Sequence, residues 1–237
     1  MTKKDQRGFT LIELNLAMIF VSILLIAAVA TSIFAGRLYQ KGVALKTVNE
    51  SGRQLMDQLR RDIASAHTVR AVVAPTANPN YRICTDVVTY VISYADTINS
   101  IGGVSPLRYN PPAPSIPGTT NVKVGDVVRV ARIKSASTSY CDPNYAWPVA
   151  NDSTEMLPTS TGSTPIAVHS VSLTQIASMG TNDADRQSLY QLTMVIGTSE
   201  TGTTSAGNCK PPTDNESNFD YCSVREFSTV IRTRGGE

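Results

Sequence analysis

Polar and apolar positions change rhythm three times along this chain. Residues 1–8 read Met-Thr-Lys-Lys-Asp-Gln-Arg-Gly and are hydrophilic. Residues 9–35 read FTLIELNLAMIFVSILLIAAVATSIFA, and from Leu16 onward only Ser22, Thr31 and Ser32 are polar and nothing is charged. About twenty helical residues rise about 30 Å, the thickness of a bilayer's hydrocarbon core, so the run predicts a membrane-spanning helix. Beyond Gly36 the pattern turns amphipathic: Leu45, Val48, Gly52, Leu55, Met56, Leu59, Ile63 and Ala66 recur at helical spacing. Lys46, Glu50, Arg53, Asp57, Arg60 and Arg61 fill other positions. A single helix over residues 9–66 would span about 87 Å. No proline precedes Val73, so Gly36, Gly42 and Gly52 are its weak points, and a hinge is expected near Gly36 or Gly42.

From His67 the texture becomes rich in Thr, Ser, Asn, Pro and Gly, with short β-prone runs. Strands are expected at residues 69–73, 86–94, 122–133, 166–176, 188–196 and 224–232, several with alternating apolar positions. Pro111–Pro117 and Pro211–Pro212 bound proline-rich stretches that mark loops. A long N-terminal helix followed by strands predicts an α+β fold, with an antiparallel sheet packed on the helix. The expected organisation is a leader at 1–8, an apolar helix at 9–36, its amphipathic continuation at 37–67 and a β-rich head at 68–237.

Composition sharpens this division. The chain has 237 residues, 41% hydrophobic and 17% charged, with a net charge of +2. That excludes a disordered chain and argues against nucleic-acid binding as the main role. Residues 1–66 hold 9 basic and 5 acidic side chains (net +4), whereas residues 67–237 hold 12 and 14 (net −2). Lys3, Lys4 and Arg7 before the apolar run favour a cytoplasmic N-terminus and an exported head. An ordinary signal peptide competes, with Ala28-Val29-Ala30 as its small-x-small site, but the apolar run is long and continues past it. A plain membrane anchor leaves Glu13 unexplained, a carboxylate flanked by Leu11, Ile12 and Leu14.

The run Arg-Gly-Phe-Thr-Leu-Ile-Glu at residues 7–13 resembles the class III leader junction of type IV pilins and type II secretion pseudopilins. The resemblance implies cleavage by a membrane peptidase after Gly8, N-methylation of Phe9, and filament assembly through Glu13. A new amine on Phe9 paired with Glu13 of a neighbouring subunit would offset the desolvation of both charges. Asn15 departs from the family pattern, which more usually has an apolar residue there. Loss of residues 1–8 removes three basic groups and one acid, a net 3 − 1 = 2, leaving 18 of each sign. The helix end, Gln54 to Ile63 followed by Ala66, and the last strand, Arg225 to Arg234, resemble W-type minor pilins and J-type pseudopilins. A head of this size also fits a minor subunit better than a small major pilin. The implied partners are other pilin subunits, the prepilin peptidase, the inner-membrane assembly platform and the membrane. The implied location is a membrane-inserted chain with its head outside the cytoplasm, then a surface filament.

Cys84, Cys141, Cys209 and Cys222 all lie in the head, and three pairings are possible. A Cys209–Cys222 loop enclosing Pro211 and Pro212 resembles the disulfide-bounded C-terminal region of many pilins and is favoured, leaving Cys84–Cys141. Such a loop stabilises a fold by about 3 kcal/mol. Asp214, Glu216, Asn218 and Asp220 echo alternate positions of a calcium loop, but Phe219 and Arg225 stand where glycine and an acid are required. Asn182, Asp183 and Asp185 form a second small acidic cluster. Solvated turns are the expected reading of both, with calcium as the alternative and no other cofactor expected. His67 and His169 are the only histidines, and no G-x-S-x-G, HExxH, P-loop or S-x-x-K pattern occurs, so no enzyme is expected. Trp147 with Tyr140 and Tyr145 reads as a core anchor or a loop staple, with an adhesive patch for a host-cell surface as the alternative. Arg225, Arg232 and Arg234 read as a solvated strand face or a DNA contact.

Overall fold

The structure is a computed structural model that describes residues 10–73, 80–98, 105–110, 122–134, 138–142, 153–158, 165–179, 187–199, 204–205, 207–211, 213–215 and 221–234. The chain divides into two compact units, Met1–Gln40 and Lys41–Glu237. Helix α1 (Leu11–Ser65) contributes to both. The fold is α+β: a long helix, apolar in its N-terminal part, followed by antiparallel sheets.

In the first unit the helix shows its apolar side chains on every side. Leu11, Ile12, Leu16, Phe20, Ile26 and Phe34 are each more than half exposed. A helix apolar all round is built for lipid or for a bundle of like helices.

In the second unit the helix buries one stripe only: Ala44, Val48, Ser51, Gly52, Leu55, Met56, Leu59 and Ile63. These positions recur at three and four residues, the spacing of one helical face. They meet a five-stranded sheet, β1 (Val69–Val73), β2 (Asn80–Thr85), β3 (Val88–Ser93), β4 (Val130–Lys134) and β5 (Ser153–Glu155), antiparallel and in chain order. They also meet β6 (Ile166–Met179), β7 (Gln187–Thr198) and β10 (Val224–Arg232), an antiparallel sheet of order β10-β7-β6. Leu55, Leu59 and Ile63 share one core with Ile83, Tyr90, Ile92, Leu192, Met194 and Ile196. The two sheets touch where Tyr94 forms a parallel bridge with Val168. A short helix, α2 (Ala95–Ile98), follows that bridge, and β8 (Thr204–Ser205) pairs with β9 (Asn208–Cys209).

Strand β3 is buried at every position. Its alternation sends Val88, Tyr90 and Ile92 to the core shared with the helix, and Val91 to a second core with Leu107, Tyr109, Val122, Val128, Ala131 and Ile133. The segments around 105–110 and 122–129 therefore cover the far side of the sheet.

Residues 122–133 are not one strand. Only the last part forms β4, because Gly125 turns the chain at φ +88° and the Asp126 carboxylate accepts the Lys123 amide at 2.7 Å. Val122 and Val128 are still buried, as loop residues plugging the second core. Strand β3 begins at Val88 rather than residue 86, since the Thr85 hydroxyl closes a turn by accepting the Val88 amide at 2.9 Å. The proline-rich stretch 111–117 lies outside the described residues, as does Pro212.

Candidate assembly segment and head surfaces

Helix α1 begins with a reciprocal cap. The Thr10 hydroxyl accepts the Glu13 amide at 3.3 Å, while Glu13 Oε2 accepts the Thr10 amide at 3.2 Å and the Thr10 hydroxyl at 3.1 Å. This is the capping-box arrangement, in which the first and fourth residues satisfy amides that the helix itself leaves unpaired. A carboxylate in the first turn also faces the positive end of the helix dipole. The Thr-x-x-Glu signature of this cap, Thr10 to Glu13, is readable in the sequence. Gly8 and Phe9 lie outside the described residues.

Further along the apolar segment each hydroxyl turns back on its own helix. Ser22 donates to the Met18 carbonyl at 2.8 Å, Thr31 to the Ala28 carbonyl at 2.9 Å and Ser32 to the Ala28 carbonyl at 2.8 Å. In hydrocarbon such internal bonds remove the cost of a bare hydroxyl. By length and composition α1 is the one described helix able to cross a membrane.

In the head, Cys84 is bonded to Cys141 and Cys209 to Cys222. The first bond fixes a 3₁₀ turn (Thr138–Cys141) to β2, and Arg82 reinforces it by donating to the Tyr140 and Asp142 carbonyls at 2.9 and 2.6 Å. Asp214 sits in the loop closed by the second bond, its amide donating to the Pro211 carbonyl at 3.0 Å. Glu216, Asn218 and Asp220 lie outside the described residues, as do Asn182, Asp183, Asp185, Tyr145 and Trp147. Among the described residues no group of three or more His, Cys, Asp or Glu stands close enough to hold a metal ion.

Arg225 and Arg232 are both exposed on β10 but an odd number of residues apart, so they project from opposite faces of the strand. Arg232 bonds Gln187 across the sheet, and the Arg234 amide donates to the Ala66 carbonyl at 3.1 Å, tying the chain end to the helix end. His169 is packed rather than free: its Nε2 lies 3.1 Å from the Thr198 carbonyl, and burial pushes its pKa below the ordinary value. His67 pairs with Asp86, 2.9 Å between Nδ1 and the carboxylate, at the C-terminal end of the helix.

Two carboxylates, Asp62 partly buried and Glu155 fully buried, hold the head together, and sequence reasoning singled out neither. Asp62 on the helix accepts Arg132 Nε at 2.7 Å and its Nη2 at 3.1 Å, Gln58 Nε2 at 3.0 Å, and the Tyr90 hydroxyl. Tyr90 and Arg132 are register partners on β3 and β4, so one carboxylate clamps the helix to two adjacent strands. Burial alone would raise the Asp62 pKa, but the bonds from Arg132, Tyr90 and Gln58 outweigh it and hold the carboxyl below its ordinary value. Glu155 is 2% exposed and accepts four donors: the Tyr109 hydroxyl at 2.9 Å and the amides of Arg129, Val130 and Leu157 at 3.1, 3.0 and 3.1 Å. Both networks staple elements of the head to one another.

The capped, lipid-compatible N-terminal helix is the chain's most distinctive feature, and comparison with known proteins singles out the same stretch. The family model of the prokaryotic N-terminal methylation motif matches residues 3–34. The chain carries a class III prepilin leader. That leader supports a type IV pilin-like or pseudopilin subunit, a structural role that implies assembly with other pilins and an encounter with the prepilin peptidase. The prepilin motif and the apolar helix together indicate a membrane-anchored, surface-exposed protein. No curated protein and no solved structure matches the chain.

Proposed function

We propose that this chain is a minor subunit of a type IV pilus-like filament, cut by prepilin peptidase between Gly8 and Phe9 and assembled through its N-terminal helix. The observation that carries the reading is the methylation motif at 3–34, in register with a glutamate at the head of a lipid-compatible helix. In this reading residues 1–8 are the discarded leader and 9–36 the assembly helix. Residues 37–67 join that helix to the head at 68–237. Burial of the apolar side chains among neighbouring helices drives assembly. The Phe9 amine of one subunit pairs with Glu13 of another. The likeness of residues 54–66 and 225–234 to W-type minor pilins and J-type pseudopilins supports a minor subunit over a major one, with a secretion pseudopilin as the nearest alternative.

Intact mass of the mature chain tests the processing. A chain starting at N-methylated Phe9 supports the reading, whereas a start at Thr31 makes this a membrane-released binding protein cut by ordinary signal peptidase. Copy number in filaments sheared from cells separates minor from major. Glu13→Ala is expected to insert and be processed at wild-type levels yet drop at least about tenfold in sheared filaments. Normal recovery of that variant would remove Glu13 from assembly.

A further inference from the structure

Between Leu11 and Ala35 every polar side chain but one is bonded within its own helix. Glu13 caps the helix through Oε2, and Ser22, Thr31 and Ser32 bond backbone carbonyls. Asn15 is the exception: its exposed carboxamide makes no hydrogen bond among the described residues. The other carboxylate oxygen of Glu13, Oε1, likewise accepts no bond among them. An amide with two N–H donors is strongly disfavoured in an apolar environment unless it meets an acceptor.

Residues two apart on an α-helix are rotated by about 200°, so Glu13 and Asn15 leave the helix on opposite sides. One side thus offers a carboxylate oxygen and the other an amide donor. A donor on one face and its acceptor on the opposite face match head to tail, leaving one of each unused at the ends. That heterologous arrangement builds open arrays rather than closed pairs. Bringing Asn15 of one helix level with Glu13 of a parallel neighbour needs an axial offset of about 3 Å, well within the reach of the two side chains.

We propose that Asn15 is an inter-subunit contact residue whose amide donates to Glu13 Oε1 of an adjacent subunit, a second copy of this chain supplying the acceptor. The proposal rests on the filament-subunit reading and names the contact that fixes a subunit's neighbour and stagger. Together with Glu13, Asn15 adds direction to a surface that is otherwise largely apolar. Polar side chains between membrane helices specify partner and register in this way. An oxygen with two lone pairs can accept both this amide and the Phe9 amine.

The full-length chain in phosphatidylcholine vesicles, labelled separately with donor and acceptor dyes on the head, reports self-association by energy transfer as lipid dilutes it. Asn15→Leu is more apolar, yet is expected to weaken association about tenfold, which corresponds to about 1.4 kcal/mol. Asn15→Gln keeps the amide and is expected to stay within about threefold of wild type. In a Glu13→Ala background Asn15→Leu should have little further effect, because its acceptor has gone. The proposal is overturned if the wild-type chain does not associate, if Asn15→Leu associates as well as wild type, or if its effect is equal in both backgrounds. These outcomes are separable from failure of the filament reading, since a mature chain starting at Thr31 would lack both Glu13 and Asn15.

Discussion

Replacing Asp62 by alanine tests the idea that one carboxylate locks the helix to the sheet. The change leaves the Arg132 guanidinium unpaired and the hydroxyl of fully buried Tyr90 without an acceptor. Removing one partner of a buried ion pair costs about 3–5 kcal/mol. Arg132 and Asp62 keep 15% and 12% of their side-chain surface exposed, which argues for the lower end, about 3 kcal/mol. An orphaned buried hydroxyl accounts for about 1–2 kcal/mol of that. For a chain of this length each kcal/mol moves the midpoint by about 2–4 °C, so Asp62→Ala should melt about 6–12 °C lower. Asp62→Asn, which keeps an acceptor for Tyr90, should lose about half as much.

The pH dependence has a defined sign. The folded-state pKa of Asp62 lies below its ordinary value of 3.8, so its contribution is complete above that value. It then fades as pH falls through the lower folded pKa. Circular-dichroism melts of the full chain in detergent, run from pH 7 down to pH 2.5, read both effects. The gap between the wild-type and Asp62→Ala curves should narrow only at the acid end. A gap below about 2 °C at pH 7, or one that does not narrow with acid, would refute the clamp.

The remaining predictions concern packing and the buried carboxylate of β5. Gly52→Ala would ordinarily strengthen a helix by up to about 1 kcal/mol, but a Cβ there would run into the Phe227 ring, so we expect lower stability in urea melts. Phe227→Leu should restore part of the loss, and a Gly52→Ala chain more stable than wild type would disprove the contact. Glu155→Gln places an amide N–H₂ where backbone amides already donate, and should cost about 2–4 kcal/mol. Equal urea midpoints for Glu155→Gln and wild type would show that the four donors are satisfied some other way.

The parts of this protein that answer to solvent were legible in its sequence. A helix meant for lipid must be apolar all round, and the run ending at Ala35 says so without reference to any other residue. The leader motif at 3–34 is likewise contiguous, because the features that mark it are neighbours in the chain. The amphipathic stripe from Val48 to Ile63 announced which helical face is buried, the short β-prone runs at β1 and β7 announced strands, and β10 added alternation.

What escaped was whatever depends on two distant segments meeting. Strand β2 (Asn80–Thr85) has no clean alternation because both its faces are covered: Ile83 meets the helix, while Arg82 holds the 3₁₀ turn on the other side. The chain between Val122 and Arg129 alternates like a strand, yet Gly125 and Asp126 turn it, and its valines seal a second core instead. Asp62 reads as one more polar residue on a helix until folding sets it beside Arg132, which lies 70 residues away. Glu155 is equally unremarkable until four donors converge on it. Periodicity reports how a segment meets water or lipid. Only the tertiary fold decides which buried charges meet, because their desolvation is offset by partners that sequence spacing does not encode.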